Sequence, residues 1–264
     1  MRSPADPPDR VRQIITTIAV IGSILINTVS NFFPIRGQNV GVIANTRFAN
    51  VLIIPASYAF AIWGLIYLGL IGFVVYQFLP PRQQHPQLKR ISYLLVGACI
   101  AQAAWIYLFQ AFAFWWSVLA MLAILACLIA IYQILKNSPR SQVRTERWLL
   151  RYPFSIYLAW ISVATIVNIA SALYDQSWNG WGLSSETWTV IMLLIATAIP
   201  LLLLWQRGDV PLSLVFVWAF VAIALKRLSL PLIWGSAAGL ALIILIFAAL
   251  SWQKKWGDRS AATG

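Results

Sequence analysis

The chain is poor in the residues from which a water-facing surface or an ionic catalytic centre is made. Of 264 residues only 10% are charged, 7 are Asp or Glu, and one is His. Soluble domains carry about a quarter charged residues, so a chain of this length and composition excludes a soluble fold. The two cysteines, Cys99 and Cys127, fall in apolar runs, form no Cys-x-x-Cys site and read as small hydrophobes. His85 stands in the loop at residues 80–86 with no acid or Cys beside it, a poor metal site. No phosphate-binding glycine loop, nucleophile elbow or metal-ligand cluster occurs, so no self-contained catalytic site is expected and no cofactor is required.

What is abundant is apolar surface, at 61% of residues, and tryptophan, at 14. Uncharged apolar runs of about 18 residues or more can cross a ~30 Å hydrocarbon layer. The runs predict an all-α, polytopic membrane helical bundle with about eight spans, at 14–33, 58–79, 91–109, 114–135, 152–174, 187–205, 211–225 and 228–252. Residues 1–13 read as a flexible tail and 254–264 as a polar one. The first span is too long for a signal-peptide core and no small-residue cleavage site follows it, so it reads as a retained helix. Residues 34–57 form a long connection, of the kind that often serves as a lid or binding segment. Spans three and four, joined around Gln110 without charge, should form a tight hairpin.

The formal net charge of +12 excludes little by itself, because the basic residues gather at span ends and not in one patch. That distribution argues for headgroup contact and orientation, with the lipid bilayer as partner and no nucleic acid. With a cytoplasmic N-terminus, 15 of the 19 Lys and Arg fall on the inner side and 4 on the outer. An even number of spans with both termini cytoplasmic fits this bias, in a membrane read as the bacterial inner membrane.

No ionisable residue is expected deep in a span, which weakens the case for an ion-coupled pump. Trp148, Trp178, Trp181, Trp188, Trp205, Trp252 and Trp256 sit at span ends and read as interfacial anchors. Trp63, Trp105 and Trp160 lie inside spans, where a buried indole wants an acceptor and a group of rings makes a flat wall for an aromatic ligand. Each belongs to a one-faced stripe: Phe60, Trp63 and Tyr67; Gln102, Trp105 and Phe109; Tyr157, Trp160, Ala164 and Asn168. Amides such as Gln102 and Asn168 should face other helices, and the aromatic stripes with them. Gly235 and Gly239 form a small-xxx-small pair that predicts close helix packing.

The stripes carry a resemblance. Pro55, Phe60, Trp63, Tyr67 and Gly69 resemble the second-helix signature of the tryptophan-rich sensory protein (TspO/MBR) family, which includes the mitochondrial translocator protein, or peripheral benzodiazepine receptor. Gln102, Trp105 and Phe109 resemble its third-helix motif, with Gln102 in place of the family's Asn and Gln110 in place of a second Phe. Tyr157, Trp160, Ala164 and Asn168 are similar to its fifth-helix motif. The resemblance covers about residues 14–174 and implies a five-helix membrane domain there, followed by a three-helix extension at 175–253 that makes this an extended, divergent member. It also implies a long first loop over the mouth of a pocket, with Phe60, Trp63, Tyr67, Gln102, Trp105, Phe109, Tyr157, Trp160, Ala164 and Asn168 as ligand-binding residues.

The implied function is that of a ligand-binding or sensory protein for a tetrapyrrole such as haem or porphyrin, or for a sterol-like lipid, with a homodimer as a possible assembly. Asn45, Arg36 and Arg47 are candidates for the ligand's polar edge. The alternative is a permease for a small neutral or amphipathic solute, although no internal repeat supports it. Enzymatic activity would extend at most to light-dependent porphyrin breakdown assisted by the bound ligand.

Overall fold

The structure, a computed structural model, describes residues 9–79, 86–137 and 144–261, with 86, 137 and 254–261 as backbone only. The expected tail at 1–8, His85, Arg140 and residues 262–264 therefore lie outside the described residues, as does the Trp256 side chain. Among the described residues ten α-helices follow one another: α1 (Arg10–Phe32), α2 (Val40–Asn45), α3 (Ile62–Phe78), α4 (Pro86–Gln110), α5 (Phe114–Asn137), α6 (Arg144–Glu146), α7 (Tyr152–Asp175), α8 (Ser185–Arg207), α9 (Val210–Lys226) and α10 (Pro231–Ala261). Seven described segments are long and apolar enough to span a membrane, and α9 is a shorter apolar helix of 17 residues. The polytopic helical bundle expected from the sequence is the observed fold class, with no strand among the described residues.

Local chemistry explains where the helices begin and end. Asp9 accepts a bond from the Arg12 amide at 3.1 Å, so α1 starts at Arg10 and not at the expected residue 14. Ser184 caps α8 through the Thr187 amide, and Gly208, at φ 58°, closes its far end. Asp209 then caps α9, with Pro211 in its first turn, where a missing amide proton costs nothing. Pro200 lies inside α8. The connection at 34–57 is not all loop, because it contains α2 and a 3-10 turn begins at Ser57.

The chain divides into two compact units, 1–40 with 63–158, and 41–62 with 159–264. This division runs through the continuous helix α7, with residues 152–158 in one unit and 159–175 in the other. In the first unit α4 packs against α1 and forms the expected hairpin with α5. Phe73 of α3 and Phe154 of α7, both fully buried, meet edge to face at 5.2 Å. In the second unit α9 is the central helix and packs against both α8 and α10. It buries Phe216, Ala219, Phe220, Ala222 and Ile223. Gly235 and Gly239 of α10 have open space where a Cβ would stand, so the expected close packing at this pair is absent.

An aromatic and amide cluster as candidate functional site

On α3, Trp63 and Tyr67 are one turn apart and their rings stack, with centroids 5.4 Å apart and planes inclined by 30°. Tyr157 of α7 turns the edge of its ring toward Trp63, at 5.9 Å and 67°. Gln102 of α4 joins the two phenols. Its Nε2 donates to the Tyr67 hydroxyl oxygen at 3.0 Å, and its Oε1 accepts from the Tyr157 hydroxyl.

Burial fixes the direction of this chain. Tyr157 is wholly buried, and its O–H would be costly without an acceptor. The amide oxygen must therefore face Tyr157, which leaves the amide N–H for Tyr67. Among the described residues no acceptor bonds the Tyr67 proton, so the chain ends in a half-buried phenol donor beside a stacked indole. Hydrogen bonds in series polarise one another in a low dielectric, which strengthens that last donor.

Close helix contact brings the three helices together. A Cβ on Gly69 would lie 2.8 Å from Cβ of Pro153, and one on Gly72 would lie 3.1 Å from a Leu149 methyl. The glycine two residues after Tyr67 thus admits the start of α7, and Tyr157 follows Pro153 by one turn. Gln102 reaches both phenols with its longer side chain, so the replacement of Asn keeps the polar tie.

The other predicted residues fall into separate groups. In the first unit Trp105 and Phe109 are buried, with rings tilted by 37° at 5.6 Å, and Phe109 meets Phe114 at 5.2 Å. Gln110, the other departure from the resemblance, donates to the Ser30 carbonyl at 3.0 Å and accepts from the Ile35 amide at 3.3 Å. It thus ties the end of α4 to the segment after α1. In the second unit Phe60 and Trp160 meet edge to face at 6.0 Å. Further along α7, Ala164 is half-buried and Asn168 is buried.

The groups proposed for a ligand's polar edge are engaged elsewhere. Arg36 lies 4.9 Å from the Phe112 ring centroid, Arg47 is paired with Asp175 at 2.7 Å, and Asn45 bonds Ser57. Two further constellations escaped the sequence reading. Arg12 is buried and donates to Gln77 Oε1 at 3.0 Å and to Ser92 Oγ at 2.9 Å, so a cation does lie within the first helix. The signal was Gln77, an amide in an otherwise apolar run. Lys226 and Arg227, at the end of α9, bond the segment around residues 45–55, and their signal was a basic pair on the side expected to be poor in basic residues.

Apolar helices of membrane length, lipid-facing apolar side chains and buried interhelical amides define an integral, multi-pass membrane protein. The chain matches the TSPO-like protein family over residues 13–250, and it belongs to that family. The match runs through α8, α9 and most of α10, so the likeness does not stop near residue 174 as the motifs alone suggested. No curated protein and no solved structure matches the chain.

Proposed function

We propose that this protein is a membrane-embedded receptor for a planar, hydrophobic small molecule, of the tetrapyrrole or sterol-like class, and that Trp63 and Tyr67 form the face that meets it. The observation that carries the reading is the stacked indole–phenol pair, whose phenol O–H no acceptor among the described residues takes up. A flat ring system gains dispersion and quadrupole contact on such a face, and one polar donor fixes its orientation. A porphyrin offers both a large planar surface and acceptors at its rim. The protein sits in a bacterial inner membrane with both termini cytoplasmic, following the bias of Lys and Arg toward one side.

The test is a titration of the purified protein in detergent with protoporphyrin IX, followed by tryptophan quenching. The Trp63→Leu variant is titrated alongside. Saturable quenching that the variant loses supports the reading. Equal affinity in the variant sinks the assignment of the face, and an absence of saturable quenching in the unaltered protein removes tetrapyrroles as the ligand. Solute flux in proteoliposomes then tests the permease alternative.

A further inference from the structure

Residues 51–55 are a stretch of non-helical backbone that the protein largely buries: Val51, Ile53, Ile54 and Pro55 are inside and Leu52 is half-buried, whereas Ala49 and Asn50 before them are exposed. Buried backbone without a ladder of its own leaves carbonyls in need of donors, and a membrane protein tolerates it only where the protein supplies them. Here the donors come from two adjacent side chains at the end of α9. Arg227 donates through Nε to the Leu52 carbonyl at 3.2 Å, and through Nη2 to the carbonyls of Ala49 at 2.9 Å and Val51 at 3.1 Å. Lys226 Nζ donates to Asn45 Oδ1 at 2.8 Å and to the Pro55 carbonyl at 3.3 Å. Four carbonyls and one side-chain amide are thereby held by one dipeptide.

The hold continues toward α3. The Ala56 amide donates to the Ala222 carbonyl of α9 at 3.1 Å, and Trp218 Nε1 donates to the Ala59 carbonyl at 3.1 Å. Tyr58 meets the Trp218 ring edge to face at 5.1 Å. From Ala59 the chain runs without a break into the turn of helix that carries Trp63. Partial burial pushes the Arg227 guanidinium below its ordinary pKa.

We propose that Lys226 and Arg227 are a latch that fixes the first long loop and, through residues 56–61, positions the start of α3. The post on which the loop is hung is α9. This assigns a task to a helix that the sequence motifs left without one.

The experiment is hydrogen exchange by mass spectrometry on the full chain in nanodiscs. In Arg227→Ala, amides at 43–56 should exchange at least tenfold faster while those of α4 and α5 keep their rates. Arg227→Lys should recover part of the protection, because it restores charge but not the three-carbonyl fork. Should Arg227→Ala fail to fold, Trp218→Phe removes the bond to Ala59 while keeping an aromatic ring against Tyr58, and it should speed exchange at 57–61 alone. Unchanged exchange over 43–61 in folded Lys226→Ala/Arg227→Ala, or in Trp218→Phe where the others fail to fold, would overturn the latch.

Discussion

Gly69 and Pro153 stand so close that a Cβ on the glycine would be 2.8 Å from the Cβ of the proline. Real Cβ atoms essentially never approach this near, and a proline ring has little freedom to swing away. The contact seats α7 on α3 and sets the height at which Tyr157 meets Gln102.

Gly69→Ala should therefore force the two helices apart and cost about 1–3 kcal/mol, the range for overpacking a fitted interior. Gly64→Ala, at a position with nothing within 4 Å, is the matched control and should be silent. Thermal unfolding in detergent measures both. Equal midpoints for the two variants would mean that the contact relaxes without consequence.

The amide at Gln102 gives a second prediction, in which a double variant is milder than a single one. Gln102→Leu strands the fully buried Tyr157 hydroxyl, at a cost of roughly 1–3 kcal/mol. Adding Tyr157→Phe removes the stranded group, so the pair should recover much of the loss. Chemical or thermal unfolding of the two singles and the double completes the cycle. Additive losses would show that the two side chains are not coupled in this way.

How much of this was legible in the sequence depends on whether the signal was local. Span positions were readable because length and apolarity alone decide them, as for α5, which begins at Phe114 as expected. The Trp63–Tyr67 stack was readable because both residues lie on one helix at a fixed spacing. The amide chain was only half readable: the stripe placed Gln102 inward, but nothing in the spacing paired it with both Tyr67 and Tyr157. The start of α1 was missed because a charged residue at a helix end reads as solvated, whereas partners 65 and 80 residues away bury Arg12. Lys226 and Arg227 were missed for the same reason, since their acceptors are backbone carbonyls, which carry no residue-type signature. The close packing expected at Gly235 and Gly239 failed because a small-xxx-small pair permits contact without supplying a partner.

The two arginines that meet the first loop's unit should behave differently. Arg47 and Asp175 pair at 2.7 Å with the arginine side chain 46% exposed, and such ion pairs contribute about 0–1 kcal/mol. Arg47→Ala should thus shift the unfolding midpoint far less than Arg227→Ala, whose loss takes a donor from the carbonyls of Ala49, Val51 and Leu52. The comparison is one of thermal midpoints at two salt concentrations. Higher salt should shrink the Arg47 effect more than the Arg227 effect, because salt screens an ion pair in water more than hydrogen bonds to carbonyls. A larger loss from Arg47→Ala would show that the salt bridge, and not the carbonyl fork, holds the segment.

Arg12 supplies the last prediction, since it joins α1 to both α3 and α4. Its Nη1 donates to Gln77 Oε1 and to Ser92 Oγ, and its Nε lies 3.6 Å from an Asp9 oxygen. Gln13 Nε2 adds a bond to the Gln77 carbonyl at 2.8 Å, so the end of α3 is held from two successive residues of α1. Hydrogen bonds to charged groups contribute about 1.5–3 kcal/mol each, and a buried acceptor left alone adds its own desolvation cost. Arg12→Met keeps the apolar stem but strands Gln77 Oε1, and it should lower stability by roughly 2–4 kcal/mol. Adding Gln77→Leu removes the stranded amide and should restore part of that loss, because a buried polar network broken on one side is worse than an apolar core of the same shape. Exchange rates of the first two turns of α1 locate the effect: they should rise in Arg12→Met and fall back in the double variant. If both variants unfold at the same midpoint as the unaltered protein, the buried guanidinium serves something other than holding α1 in place.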